Sequence, residues 1–202
     1  LLAYFAFETG SLKCFVLSGI VGGLSSSTKY QGFEALLWGP LALFLFSIKQ
    51  KKNPFTGLFD HRILLYFFCF ALFFTLGSPF WILDFKQFQN DFLSTWCWYK
   101  TTGMGQLGYE GSWSWIYYLT GPLNYGLGTP LLMVGILGIF YLLFRFCLKN
   151  VFVIAFPIIY FGIAGFSKIH SSRYMIPLIP FLCLSAAVLF HSIFSRIKNL
   201  KI

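Results

Sequence analysis

The chain has 202 residues, of which 57% are hydrophobic and 10% are charged, and its mean hydropathy is +0.73. Soluble domains carry roughly 25% charged residues, so this composition excludes a water-soluble globular domain. It predicts an all-α fold: a polytopic transmembrane helical bundle. The formal net charge of +9 does not indicate nucleic-acid binding, because no basic cluster is interleaved with exposed aromatic residues.

Apolar segments recur along the whole chain, and we predict that they span a membrane within one transmembrane domain of residues 1–202. In chain order the segments are 1–7, 12–24, 33–48, 63–83, 127–148, 151–166 and 175–194. A spanning helix needs about 20 apolar residues. The first three segments are shorter than this, so each could be tilted or could enter the membrane only partly. The first segment has no initial Met and no charged n-region, so we expect a fragment rather than a signal peptide.

Charge predicts the orientation of these segments. If each crosses the membrane once, ten of the 15 Lys and Arg residues fall on one face, and an excess of basic residues marks the cytoplasmic face. Residues 25–30, the loop 84–126 and residues 167–174 then lie on the opposite face. We therefore expect a multi-pass protein integral to the plasma (inner) membrane, with its functional site on the extracytoplasmic side.

The long extracytoplasmic loop, residues 84–126, begins with a helical pattern. Phe85, Phe88, Phe92 and Trp96 recur at helical spacing, which predicts an amphipathic helix lying in the membrane interface. An ordinary loop helix packed on the bundle fits the same pattern. The stretch "TTGMGQLGYEGSWSW" that follows is rich in Gly and aromatic residues, and long irregular loops of this kind favour a functional role.

Cations and tyrosines gather on the predicted outer face, where basic residues run against the general trend. Cations at membrane depth are costly unless they are paired or used, and Arg, Lys and Tyr are all ligands of phosphate. They predict a site for an anionic lipid headgroup, formed by Lys29, Tyr30, Lys168, His170, Arg173 and Tyr174. The alternative is that each cation snorkels to ordinary headgroups, with His170 contacting a headgroup or water.

Carboxylates and cysteines give weaker signals. Asp84, Asp91 and Glu110 are on the predicted outer face, where each could assist a general base or pair with a nearby lysine. No CxxC spacing is present, and no His, Asp or Glu spacing matches a metal site. The sequence therefore predicts neither a resident metal nor a disulfide framework.

Four motifs in order resemble the GT-C membrane glycosyltransferases, and more narrowly the bacterial family 39 proteins related to protein O-mannosyltransferases and aminoarabinose transferases. They are "GGLSSSTKYQGF", "GSPFWILDFKQF", "WIYYLTGPLNYGLGTPLLMVGILGI" and "SSRYMIPLIPFLCLSAA". The resemblance covers nearly the whole chain and corresponds to the C-terminal part of the family's membrane domain. It implies transfer of a sugar from a polyprenyl-phosphate donor to a lipid, glycan or protein acceptor on the outer face, without a cofactor and with metal dependence left open.

The resemblance also implies roles for particular residues. Lys29 and Arg173 would hold the donor phosphate, assisted by Tyr30 or Tyr174. The family's catalytic acidic residue lies in its first outer loop, upstream of residue 1. We therefore assign no catalytic residue, and we expect this chain to lack it.

We expect three further residues, Asp84, Tyr109 and Glu110, to lie in the cavity or the acceptor loop of the site. Tyr109 and Glu110 lie in the Gly-rich loop, which the resemblance implies would help to cover the cavity. Asp84 matches a position of the family and is not assigned as the base. The implied partners are membrane lipid and the lipid-linked sugar.

Two other functions are compatible with the sequence. A transporter or flippase for a lipid-linked or anionic solute would place ionisable residues near the midplane and often carries internal repeats, and the sequence shows no convincing repeat. A membrane scaffold without chemistry would have Lys29 and Arg173 pointing apart into headgroups. Convergence of those two side chains on one cavity would separate the transferase from the scaffold.

Overall fold

The computed structural model describes residues 1–53, 60–101, 114–167 and 170–200. These residues are almost entirely helical, and none of them lies in a strand, which confirms the predicted all-α class. The chain groups into two compact units, Leu1–Phe92 and Leu93–Ile202.

The first unit consists of short apolar helices. They are α1 (Leu2–Thr9), α2 (Leu12–Thr28), a 3₁₀ helix (Tyr30–Leu37), α3 (Trp38–Lys49), α4 (His61–Gly77) and α5 (Phe80–Leu83). The next helix, α6 (Phe85–Thr101), contains the boundary between the units. It confirms the helix predicted from the phenylalanine spacing, while its position at a membrane interface stays a prediction.

Helix α4 is shorter than the span predicted for residues 63–83. Its first turn is capped by Asp60, whose carboxylate accepts a hydrogen bond from the Arg62 backbone N–H at 2.9 Å. The helix ends at Gly77, and Ser78 and Pro79 separate it from α5. Proline cannot supply the backbone N–H that a continuing helix requires, so the apolar run is divided into two helices.

Glycines hold α2 close to α4. A side chain at Gly19 would overlap the carbonyl oxygen of Tyr66, and one at Gly23 would overlap that of Phe70. Both glycines are buried. Small residues let two helix backbones approach directly, which is the usual way that helices associate where lipid gives no hydrophobic driving force.

The second unit contains the remaining helices. They are α7 (Ser114–Tyr118), a π-helical turn (Leu119–Leu123), α8 (Asn124–Leu127), α9 (Thr129–Phe144), α10 (Val151–Gly165), a 3₁₀ helix (Ser172–Leu178) and α11 (Ile179–Leu200). The end of the predicted outer loop is therefore helical from Ser114 onward. Tyr117 and Tyr118 in this part are buried, so it belongs to the core of the unit rather than to an exposed loop.

Helices α9 and α11 pack through small residues as well. A side chain at Gly138 would overlap the carbonyl oxygen of Ser185, and the Ser185 hydroxyl donates a hydrogen bond to the Gly135 carbonyl at 2.8 Å. The core beside this contact is rich in tyrosine. Its buried members are Tyr117, Tyr118, Leu123, Leu132, Tyr160, Tyr174, Met175, Leu178 and Leu182.

Two helical stretches of the described residues, Gly32–Lys49 and Ser172–Ile197, are long and apolar enough to cross a membrane. A third is possible if Ser114–Leu127 and Thr129–Phe144, which meet at an angle of 113°, act as one broken span. The bend lies at Gly128, whose φ of 75° suits glycine. Three other apolar helices, Leu12–Thr28, His61–Gly77 and Val151–Gly165, are shorter.

Candidate functional site

Both long apolar stretches are preceded by, or begin with, the same kind of sequence. Residues 27–30 read "STKY" and residues 171–174 read "SSRY", so each has two hydroxyl residues, a cation and a tyrosine. In each case an extended residue, Lys29 or Ser171, is followed by a 3₁₀ helix that continues into an α-helix. The structure therefore places a cation beside the N-terminal end of each stretch.

Lys29 is fixed through its backbone and exposed through its side chain. Its N–H donates to the Ser25 carbonyl at 3.1 Å, and its carbonyl accepts from the Gly32 N–H at 2.8 Å. Gly32 packs so closely on the end of α2 that a side chain there would meet the Ser25 and Ser26 backbone. Of Tyr30 only the backbone, at the start of the 3₁₀ helix, is described.

Arg173 is exposed and Tyr174 is buried beneath it. The Arg173 guanidinium carbon lies 5.9 Å from the centroid of the Tyr174 ring, which is the distance of a cation–π contact. The Tyr174 N–H donates to the Ser171 carbonyl at 3.1 Å. The buried ring therefore supports a guanidinium whose donors remain available to an anion at the surface.

His170 is buried, with 9% of its surface exposed, in contrast to the headgroup or water contact left open by the sequence. Its Nε2 lies 2.9 Å from the Ser114 hydroxyl oxygen. The imidazole stacks on the Tyr117 ring with the centroids 4.7 Å apart, and Tyr118 meets it edge-on. Burial lowers the pKa of His170 from its ordinary value, so the neutral form is favoured at neutral pH.

The hydrogen bonds of Ser114 decide the tautomer of His170. The Ser114 hydroxyl donates to the Ser167 carbonyl and has no second hydrogen to give. Its oxygen must therefore accept from Nε2–H of His170. The neutral imidazole is then protonated at Nε2, and Nδ1 carries a bare lone pair.

This arrangement differs from that of a serine nucleophile and its histidine base. A serine nucleophile donates its hydrogen to the histidine, and a third group orients the imidazole through the other nitrogen. Here the serine hydrogen points at a carbonyl, and Nδ1 has no hydrogen-bond partner among the described residues. No group of His, Cys, Asp and Glu side chains in the described part of the chain could hold a metal ion.

Two of the predicted outer-face carboxylates, Asp84 and Asp91, accept hydrogen bonds from Gln87 of α6. Asp84 accepts a hydrogen bond from the Gln87 N–H at 3.1 Å and so caps α6, and Asp91 accepts one from the Gln87 side-chain amide at 3.0 Å. Both carboxylates are exposed. Tyr109, Glu110 and Lys168 lie outside the described residues, so their predicted roles stay predictions.

The sequence reasoning missed two polar residues. Ser114 follows the Gly-rich loop, and nothing in its local sequence pointed to His170, which is 56 residues further along the chain. Glu34 lies in the 3₁₀ helix near Lys29, inside the first long apolar stretch, and it is half-buried. Its position in an apolar run could have identified it, because ionisable residues in such segments are costly.

The predicted phosphate ligands are divided between the two units. Lys29 and Tyr30 belong to the first unit, and His170, Arg173 and Tyr174 belong to the second. The convergence of Lys29 and Arg173 on one phosphate stays a prediction.

A comparison of the chain with protein-family models, curated proteins and solved structures finds no match. The resemblance to the GT-C glycosyltransferases therefore depends on the four sequence motifs.

Proposed function

We propose that this chain is part of a membrane glycosyltransferase, which moves a sugar from a polyprenyl-phosphate donor to a lipid, glycan or protein acceptor. The protein would be a multi-pass component of the plasma (inner) membrane with its site on the extracytoplasmic face. The observation that carries the proposal is the cation beside the N-terminal end of each long apolar stretch, Lys29 at one and Arg173 at the other.

This position suits a phosphate whose lipid tail stays in the membrane. Near Arg173, the first backbone N–H groups of the 3₁₀ helix have no intrahelical acceptor, and the helix dipole favours negative charge at that end. Lys29 lies both before a 3₁₀ helix and at the C-terminal end of α2, where the α2 dipole favours the cation itself. Arg173 adds a planar set of donors that matches phosphate oxygens, and Lys29 adds a point charge. An apolar helix begins immediately below each cation, where the polyprenyl chain would lie.

The proposed reaction is a direct displacement with inversion. An acceptor oxygen attacks the anomeric carbon as the bond from that carbon to the donor phosphate oxygen breaks, and polyprenyl phosphate leaves with the bonding electrons. The acceptor proton goes to a general-base carboxylate, which the resemblance implies and to which no residue of this chain is assigned. Lys29 and Arg173 would stabilise the charge that grows on the leaving phosphate, which lowers the barrier.

The test compares cations at the two ends of the same helices. Lys29→Ala and Arg173→Ala are introduced into the complete natural gene product in lipid nanodiscs, beside Lys13→Ala at the start of α2 and Arg196→Ala near the end of α11. All four residues are exposed. Farnesyl phosphate binding and transfer of a labelled sugar from a polyprenyl-phosphate donor are then measured.

We expect the first pair to weaken farnesyl phosphate binding by about tenfold or more, because each removes a charge-assisted hydrogen bond, and to reduce transfer. The second pair should leave both unchanged. Equal effects in the two pairs would show that the cations contact ordinary headgroups and would contradict the proposal.

The second candidate is a transporter or flippase for a lipid-linked or anionic solute. The cations beside two helix N-termini are compatible with this function, since transporters also direct helix N-termini at anionic substrates. Proteoliposomes separate the two functions. A transferase releases polyprenyl phosphate and forms a new glycoside, whereas a transporter moves the intact solute across the bilayer.

A further inference from the structure

The chain leaves α3 through Lys51, which is the one non-glycine residue with a positive φ, 56°, in the described part of the protein. The Lys51 N–H donates to the Ile48 carbonyl at 3.0 Å, and the Lys52 N–H donates to the Ser47 carbonyl at 2.9 Å. These bonds satisfy two of the last carbonyls of the helix and form a Schellman motif. Glycine is the usual residue at its left-handed position, because a side chain there crowds the backbone. Lys51 therefore occupies this position against the preference of the backbone; it and Lys52 are here called the lysine pair.

The lysine pair is exposed and has no ion pair with a carboxylate of the described residues. The carboxylates near the end of α3 already have other partners. Glu8 lies 2.8 Å from the Lys49 ammonium group. Asp60 lies 3.7 Å from Nε of Arg62, whose guanidinium stands over the Phe46 ring of α3 at 5.4 Å. The charge of the lysine pair is therefore available to an anion that these carboxylates do not supply.

The surface beside the lysine pair is apolar. On α3, Phe44 is 40% exposed and Ile48 is 39% exposed, and near the start of α4 Leu64 is 62% exposed. The stretch Gly32–Lys49, which is long and apolar enough to cross a membrane, ends shortly before the lysine pair. A small soluble anion would contact the cations alone. A lipid matches both parts of this surface, because its phosphate suits the cations and its acyl chains suit the apolar side of the helix.

We propose that the lysine pair binds the phosphate of an anionic phospholipid, whose acyl chains lie along the exposed apolar side of α3. Each ammonium group supplies a point charge with hydrogen-bond donors that rotate to suit the phosphate oxygens. The lysine at the left-handed position is then explained, since glycine would relax the backbone but would remove one of the two charges. The site lies within the first unit, and it does not depend on the proposed glycosyl transfer.

The experiment measures lipid selectivity at α3, Trp38–Lys49, in the complete gene product. The protein is placed in phosphatidylcholine nanodiscs that carry a trace of phosphatidylglycerol or of phosphatidylcholine, each with the same photoreactive acyl chain. Crosslinks to α3 are quantified by peptide mass spectrometry, and the ratio of the two yields gives the preference for the anionic headgroup. Glycerol phosphate, which has the phosphate without the acyl chains, is added as a competitor.

We expect the wild type to favour phosphatidylglycerol. Lys51→Gly and Lys52→Ala should each lower the ratio by about fivefold, the usual contribution of one lysine beside an anionic membrane surface. Lys51→Gly should also raise the unfolding temperature in phosphatidylcholine alone, because glycine relieves the left-handed backbone. Lys51→Arg keeps the charge and should keep the ratio. Lys86→Ala, which removes an exposed lysine of α6, is the matched control and should leave the ratio unchanged.

Four results would overturn the proposal. The first is a wild type without a preference for phosphatidylglycerol, and the second is an unchanged ratio in Lys51→Gly or an equal loss in Lys86→Ala, which would mean that the lysines meet ordinary headgroups without a site. The third is displacement of phosphatidylglycerol by glycerol phosphate, which would assign the lysine pair to a soluble anion. The fourth is a lower unfolding temperature of Lys51→Gly in phosphatidylcholine, which would mean that the lysine is kept for the fold.

Discussion

The Nε2 of His170 lies 2.9 Å from the hydroxyl oxygen of Ser114, and the same hydroxyl donates to the carbonyl of Ser167. Ser114, the first residue of α7, is therefore hydrogen-bonded both to Ser167, which follows α10, and to His170, which precedes the second 3₁₀ helix. The imidazole in this contact is neutral. His170 lies three residues before Arg173, whose guanidinium is exposed. The consequences of the contact can be measured through pH and through substitution.

The first prediction is that acid lowers the stability of the folded protein through His170. Burial lowers the pKa of His170 below its value in the unfolded chain, which is about 6.5. The unfolded chain therefore binds a proton that the folded protein resists, so the free energy of unfolding falls as the pH drops below about 6.5 and is fully retained above it. Urea unfolding of the second unit, followed between about pH 7.5 and pH 5, should show this loss in the wild type.

His170→Gln is the control for the acid effect, because glutamine does not titrate and can keep the bond to Ser114. Its unfolding free energy should depend less on pH in the same interval. An identical pH dependence in the wild type and the variant would assign the acid sensitivity to other groups.

The second prediction concerns the packing of α9 on α11. Gly138→Ala would force a methyl group against the carbonyl oxygen of Ser185, so the helices must separate. We expect the free energy of unfolding to fall by about 1–3 kcal/mol, as in other overpacked cores. Gly162→Ala on α10 is the matched control, because no atom lies within 4 Å of the added carbon.

The control substitution should leave stability unchanged or raise it by up to about 1 kcal/mol, because alanine is the better helix former. Thermal unfolding of both variants in the same lipid gives the comparison. Equal stability of the two variants would mean that the α9–α11 contact is looser than the structure describes.

The sequence predicted the features that depend on local pattern. The apolar composition indicated an all-helical protein, and the spacing of Phe85, Phe88 and Phe92 indicated a helix that is found at Phe85–Thr101. Both follow from short-range periodicity, which needs no knowledge of tertiary contacts. The same reasoning extended one span to residue 83, although Pro79 ends the continuous helix before that point.

The candidate site depended on contacts that a local pattern does not contain. Ser114 and His170 are 56 positions apart, and only the packing of α7 on the end of α10 brings them together. Residues 114–126 were predicted as the end of the outer loop 84–126, but they are helical, and the rings of Tyr117 and Tyr118 are buried in the core of the unit. Tertiary burial here outweighs local propensity.

The third prediction tests the expected orientation in the membrane. Cys147 lies in the turn after α9, which the positive-inside rule assigns to the cytoplasm, and Cys97 lies on α6, which is expected on the outer face. Both cysteines are exposed. In variants that keep only one of them, an impermeant maleimide added to intact cells should label Cys97 and leave Cys147 unlabelled.

Inverted membrane vesicles should give the reverse labelling, which controls for reactivity. Labelling of both cysteines from the same side would mean that an even number of crossings separates α6 from the end of α9. That result would contradict the predicted alternation of the segments.

The last prediction compares two glutamates of the first unit that have opposite surroundings. The Glu8 carboxylate lies 2.8 Å from the Lys49 ammonium group, and this ion pair joins α1 to α3. Glu34 is half-buried in the 3₁₀ helix and has no hydrogen bond or ion pair among the described residues. The same substitution, Glu→Gln, should therefore change stability in opposite directions at the two positions.

Glu8→Gln should lower the free energy of unfolding by about 0.2–1 kcal/mol, the usual value of a partly exposed ion pair, and the effect should shrink at high salt. Glu34→Gln should raise it by a similar amount, since the amide removes a charge that burial penalises without compensation. Thermal unfolding in nanodiscs at low and high salt measures both. A loss of stability in Glu34→Gln would reveal that the folded protein stabilises this carboxylate, and the residue would then be examined as a partner of the nearby Lys29.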